Sequence, residues 1–154
     1  MNYVSVNENI KYKVVKSNQG RLYTDRVHDA AAIIDDKIIE DASFQLRNNR
    51  NSPITNNIVF EKGTPRKLKN IEGTVLSLLT GGGWNYNYWH WLYDVLPRLK
   101  LCQEFLRLDL VDFFLFPSLS KKFQLETLEK LKIPKKKLLS SENFRHIKTS
   151  NLII

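Results

Sequence analysis

The sequence predicts an α/β fold in two parts: a β-rich segment over residues 1–70, followed over 71–154 by strands and helices alternating around a parallel sheet. Three observations predict it. Residues 21–46 run RLYTDRV, AAAII and KIIEDASF, rich in β-branched residues and alternating in places. The tracts RNNRNSP (47–53) and KGTPRKLKN (62–70) are loop-like by composition and place a boundary between the parts. Beyond them apolar runs of strand length alternate with helix-length segments, the signature of βαβ units.

Taken in order, Asp35 and Asp36 between two apolar runs mark a hairpin turn. EGTVLSLLT (72–80) is a strand, and a helix runs from about Asn87 past Leu101. VDFFLFP (111–117) is apolar nearly throughout, as a strand covered on both faces must be. SKKFQLETLEKLKI (120–133) reads as a helix with Ser120 as N-cap and Leu125, Leu128 and Leu131 on its buried side. Pro134 and a lysine run end it, and KLLSS and HIKTSNLII are the last strands. Because SNLII stops without a cap or polar tail, the expectation is a longer protein continuing past it, with an exposed edge at this last strand.

At 154 residues and 42% hydrophobic the chain can bury a real core. Its 24 Lys and Arg against 16 Asp and Glu give a net charge of +8, which suits nucleic acid, acidic membrane surfaces or anionic small molecules without choosing among them. Cys102 is the only cysteine, which excludes an intrachain disulfide and a Cys-based zinc site. MNYVSVNENIKYKVVK holds no signal-peptide core, and no segment approaches the ~20 apolar residues that span a bilayer. The reading is cytoplasmic, with peripheral membrane contact left open.

Residues 81–100, GGGWNYNYWHWLYDVLPRLK, hold all three tryptophans, three of the six tyrosines and one of the three histidines. At ~100° per residue Tyr88, Leu92, Leu96 and Leu99 form an apolar stripe with Trp89 at its edge, while Asn87, His90, Asp94 and Arg98 fall within roughly 80° of each other. In that polar stripe Asp94 sits one turn from His90, able to orient the imidazole as a base needs, and Arg98 can hold an anion or pair with Asp94. The plainer alternative is a structural network around a half-buried histidine. Gly81, Gly82 and Gly83 permit a tight turn and leave helix-terminal N–H groups open to an anion, although they match neither a dinucleotide fingerprint nor a P-loop. Pro97 removes a backbone donor and predicts a kink between Tyr93 and Pro97. Trp84, Trp89 and Trp91 each read either as core or as a cleft-rim ring that stacks on a sugar, with core favoured for at least two of them.

The segment NYWHWLYDVLPRL, Asn87 to Leu99, resembles the N-Y-[YFW]-H-W-L-x-D-x-L-P-R-L signature of glycosyltransferase family 61. Asn87, Tyr88, His90, Trp91, Asp94, Pro97 and Arg98 stand at the matching positions, and Gly82 and Gly83 fit the small residues common just upstream. The resemblance implies a Rossmann-like N-terminal lobe of a GT-B-type enzyme, with the active site between two lobes. It implies inverting transfer of a sugar from a nucleotide-sugar donor to a glycan acceptor. His90 or Asp94 would be the base, and Asn87, Trp91, Arg98, Gly82 and Gly83 would bind substrate. The donor-binding C-terminal lobe of such enzymes has no counterpart here, so the chain by itself is expected to be inactive. With no D-x-D motif, neither a metal nor another cofactor is called for.

Two readings from other classes stand beside this one. A basic nucleic-acid-binding module is suggested by RKLK (66–69) and KKK (135–137), against which stand the scatter of charge and the absence of a binding motif. A non-catalytic lobe that partners another chain is the other. His28 and His146 lack a second ligand at metal spacing, and Cys102 lacks a paired base, so all three read as structural.

Overall fold

Asp35 and Asp36 both take positive φ, 49° and 58°, the conformation that a two-residue type I′ hairpin demands and that short polar side chains tolerate. The turn they make joins β3 (Asp29–Ile34) to β4 (Lys37–Ile38), paired in antiparallel register with Ile34 opposite Lys37. The computed structural model describes residues 12–48, 50–61, 63, 66–80 and 86–154. Its other strands are β1 (Lys16–Asn18), β2 (Arg21–Thr24), β5 (Phe44–Arg47), β6 (Arg50–Asn51), β7 (Lys69–Ser77), β8 (Phe113–Phe116), β9 (Leu138–Ser140) and β10 (His146–Ile153).

All of these strands belong to one mixed sheet, in the order β6-β5-β3-β2-β10-β7-β8-β9, with β1 also on β10 and β4 on β3. The last strand in sequence is interior. One edge of β10 pairs in parallel with β7; the other pairs antiparallel with β2 and, further along, with β1. The expected exposed edge at HIKTSNLII is therefore filled on both sides. The β-rich segment and the later strands also meet in this strand, without a break in the sheet near residue 70.

This overturns the expected Rossmann-like lobe. Such a lobe needs helices on both faces of a parallel sheet. Here the helices among the described residues share one face: Trp91, Val95, Leu99 and Leu128 pack with Leu76, Leu78, Phe114 and Phe116. The opposite face carries Val75, Leu79, Leu115, Ile147 and Leu152 in one cluster with Leu22, Ala30 and Ala32 of the neighbouring antiparallel strands, and Ile39, Phe44 and Phe144 pack against it. Antiparallel strands of the β-rich segment extend the sheet, and no α-helix among the described residues packs on this face. The chain is mostly β, and only β7 to β10 keep the parallel pattern that its alternation of elements predicts.

VDFFLFP behaves as its composition predicts: Phe114 and Phe116 face the helices, Leu115 the other core, and all three are buried. Each such side chain contributes about 1.5–3 kcal/mol of burial free energy. Gly73 introduces a bulge in β7, where Ile71 opposes Thr149 but Thr74 opposes Asn151. Its φ is +107° and a Cβ there would stand 2.5 Å from Asp112 Oδ2, so both conformation and space call for glycine.

The helix that follows residue 86 has three parts: α1 (Tyr88–His90), a π-helical stretch (Trp91–Val95) and α2 (Leu96–Gln103). The kink predicted from Pro97 takes the form of this widened turn. Pro97 has no N–H to return to Tyr93, and the N–H of Leu96 instead reaches back five residues to the Trp91 carbonyl. The extra residue per turn rotates the buried face. Trp91, Val95, Leu99 and Cys102 are buried, Leu92 and Leu96 pack at the margin, and Tyr88 is exposed. The stripe predicted at an even 100° per residue is thus displaced.

A similar displacement affects α3 (Lys122–Lys130). Leu128 is buried as expected, but Leu125 and Leu131 are exposed and Gln124 takes an inward position. The N-cap is Lys121 in place of Ser120. Gln124 Oε1 accepts the Lys121 N–H at 2.8 Å, closing the first turn from its third residue.

Candidate active site

Asn87 begins the construction of the site by capping its helix. Its Oδ1 accepts the N–H of Trp89 at 2.9 Å, satisfying one of the orphan donors of the first turn. From that start the helix runs beside the carboxyl ends of β7 and β10, the place where parallel strands habitually offer a ligand crevice. A cleft of about 720 Å³ lies there. Ser77 at the end of β7, Thr80 three residues past it, Ile154 after β10, and Tyr93, Asp94 and Arg98 of the helix line one part of it; Val14 and the segment from Asp41 to Phe44 line another.

Asp94 and His90 meet as the i, i+4 spacing predicts. His90 Nδ1 and Asp94 Oδ2 are 2.6 Å apart, and both side chains are partly exposed. With the carboxylate ionised, the Nδ1–H of the imidazole donates. Asp94 lies on the cleft wall and His90 does not belong to that lining. The pair is therefore ordered with the carboxylate toward the cleft and the ring bracing it.

Arg98, one turn further on, also lines the cleft and is half-buried. Burial lowers the pKa of its guanidinium, and the negative charge of nearby Asp94 acts against that shift. The group stays cationic at neutral pH. Asp94 accepts its hydrogen bond from His90, and Arg98 makes no hydrogen bond or ion pair with another described residue. Cys102 lies behind it, buried, with its thiol pKa raised by desolvation while Arg98 pulls it down. That suits a packed apolar side chain, not a nucleophile.

The other expected site residues are placed differently. Trp91 is 0% exposed, its ring beside Phe116 and Phe123, and its indole N–H donates to Thr127 Oγ1 at 2.9 Å. It holds the helix to α3 and presents no face to a ligand. Asn87 serves as the cap described above. Gly81, Gly82 and Gly83, with Trp84, lie outside the described residues. His146 bonds the Arg66 carbonyl through Nδ1 at 3.0 Å and sits edge-on to Tyr23, and His28 stands 3.5 Å from the Asp25 carboxylate.

Three residues absent from the predicted site bear on it, Tyr93 and Thr80 in the cleft lining and Trp89 against Tyr93 outside that lining. Trp89 and Tyr93 are 61% and 59% exposed, with ring centroids 4.1 Å apart, and Tyr93 is part of the cleft wall. Two large rings left together in water beside a cleft form the kind of surface on which the apolar face of a sugar stacks. Their i, i+4 spacing was the available signal. The third is Thr80, 4% exposed, whose hydroxyl has no hydrogen-bond partner among the described residues.

Among the described residues no group of three or more His, Cys, Asp or Glu side chains is arranged to hold a metal ion. No helix among them is long and apolar enough to cross a membrane.

No family model matches the chain, and neither a curated protein nor a solved structure does. The geometry of the cleft and the signature-like segment along it thus stand as the grounds for a functional reading.

Proposed function

We propose that this chain carries the acceptor-side catalytic groups of a glycosyltransferase, one that moves a sugar from a nucleotide-sugar donor to a glycan acceptor with inversion. The observation that carries the reading is the Asp94–His90 pair, 2.6 Å apart, with its carboxylate on the wall of a cleft at the carboxyl ends of two parallel strands. The likeness of Asn87 to Leu99 to the family 61 signature supports it. So does Tyr93 on the wall of the same cleft, with Trp89 against it.

In this reading Asp94 takes the proton of the acceptor hydroxyl as its oxygen attacks the anomeric carbon. The bond from that carbon to the donor's phosphate oxygen breaks on the opposite side, and the nucleoside diphosphate leaves with the electron pair. His90 acts through Asp94, holding the carboxylate at the angle that faces the cleft. Trp89 and Tyr93 carry a sugar ring of the acceptor. Donor binding draws on a further lobe of a longer protein.

The test is transfer by the complete protein carrying Asp94→Asn or His90→Ala. Asp94→Asn is expected to abolish turnover, and His90→Ala to lower kcat by about 10²–10⁴-fold, the range over which positioned acid–base groups act. Full activity in both variants rejects the assignment.

Nucleic-acid binding is less well supported. Of the lysine run at 135–137, Lys137 turns back on the protein, its Nζ donating to the carbonyls of Asp109 and Val111 at 3.2 and 2.6 Å. A non-catalytic partner lobe draws no support from the last strand, whose two edges are already paired.

A further inference from the structure

Two polar groups of the cleft have no role in the proton transfer described above. One is the Thr80 hydroxyl, three residues past β7, buried to 4% exposure and without a hydrogen-bond partner among the described residues. A threonine hydroxyl rotates freely to find a partner, so an orphan at such burial needs a reason. The other is the Arg98 guanidinium, a planar fork of five donors with no hydrogen bond or ion pair to a described residue.

The charges around them are already matched in pairs. From the helix, Asp94 bonds His90 at 2.6 Å. From the opposite wall, Asp41 bonds Lys13 at 2.7 Å. Each carboxylate of the cleft has its own cationic or N–H partner, which leaves the charge of Arg98 over. A cation and a hydroxyl on the walls of one cleft offer several donors to a single oxyanion, and a guanidinium matches phosphate or carboxylate oxygens two at a time.

We propose that Arg98 and Thr80 form an oxyanion subsite in this cleft, which holds a phosphate or carboxylate group of the substrate. The inference rests on the sugar-transfer reading for the reason an anion should come there. The binding itself is measured without transfer.

The experiment is calorimetric titration of the chain, at about 0.15 M salt to screen surface charge, with sodium pyrophosphate and separately with sodium glucuronate. Saturable one-to-one binding of at least one of them is expected. Arg98→Gln should weaken it by about tenfold or more, as loss of a charge-assisted hydrogen bond does, with Arg98→Lys in between. Thr80→Val should weaken it several-fold without lowering Tm. Preference for pyrophosphate identifies a phosphate source, and preference for glucuronate an acidic sugar. Failure of both anions to bind overturns the proposal, as does wild-type affinity in Arg98→Gln. Should Arg98→Gln not fold, Thr80→Val decides, and unchanged affinity there overturns it. Normal sugar transfer by both the Asp94→Asn and His90→Ala proteins would reject the base assignment and leave this titration standing.

Discussion

The indole N–H of Trp91 donates to Thr127 Oγ1 at 2.9 Å, and the same hydroxyl donates to the Phe123 carbonyl. One tryptophan thereby ties the π-helical stretch to α3 across the face of β8. Trp91→Ala should cost about 3–5 kcal/mol, the range for emptying a large aromatic site in a core. Thr127→Val leaves the indole N–H buried and unpaired, at about 1–3 kcal/mol. Urea unfolding midpoints check both. A Trp91→Ala protein of wild-type stability that fails to bind sugar would assign the ring to substrate instead.

Trp89, two positions away, is expected to give the opposite result. Its ring faces solvent beside Tyr93, so Trp89→Ala should change stability by no more than about 0.5 kcal/mol. In the complete protein it should raise KM for the glycan acceptor with a smaller change in kcat. A thermal melt and initial-rate kinetics on one preparation separate the two effects.

Asp29 holds the antiparallel end of the sheet together. Its side chain is 1% exposed, and its oxygens take Arg47 Nη1 and Nη2 at 2.6 and 3.1 Å and the Ile58 N–H at 2.6 Å. Arg47→Gln removes the cation and leaves the carboxylate buried. Breaking a buried pair from one side costs about 3–5 kcal/mol, and the partial exposure of Arg47 puts the expected loss toward the lower figure. Chemical denaturation measures it; a loss below about 0.5 kcal/mol, the range of ordinary surface changes, would show the pair to be idle.

Cys102 links the cleft to pH. Burial raises the pKa of its thiol in the folded chain, so the unfolded chain ionises first as pH rises. The stability this group contributes is full below the unfolded thiol's pKa and is lost as pH climbs through the folded value. Native protein at pH 8 should therefore react slowly with iodoacetamide and rapidly in urea. Arg98→Gln, which removes the opposing positive charge, should slow the native reaction further.

Much of the local structure was legible in the sequence. Asp35-Asp36 announced a hairpin turn, VDFFLFP a doubly covered strand, and the spacing of His90 and Asp94 their contact. These are short-range consequences of side-chain chemistry. The global arrangement was not legible, because no local pattern states that residues 146–153 pair with strands from both ends of the chain. A parallel βαβ rhythm in 71–154 is compatible with a Rossmann-like lobe until one knows that antiparallel strands extend its sheet and that the described α-helices share one face. The helix faces were misplaced for a narrower reason. A wheel at 3.6 residues per turn cannot foresee the π turn upstream of Pro97, and past that turn each assignment rotates. Trp91, a substrate residue only through the resemblance, is buried beside Phe116 and Phe123, and Trp89, placed at the edge of the apolar stripe, stands exposed beside Tyr93.

The interior position of β10 bears on how the molecule is made. β1, β2 and β7 all precede it in sequence, and each keeps a bare hydrogen-bonding edge until residues 146–153 arrive to fill the gap among them. During synthesis those edges wait for their keystone, open to pairing with a neighbouring chain. Growing chains released short of His146 should accordingly aggregate, whereas chains carrying the whole of β10 assemble the sheet in one cooperative step.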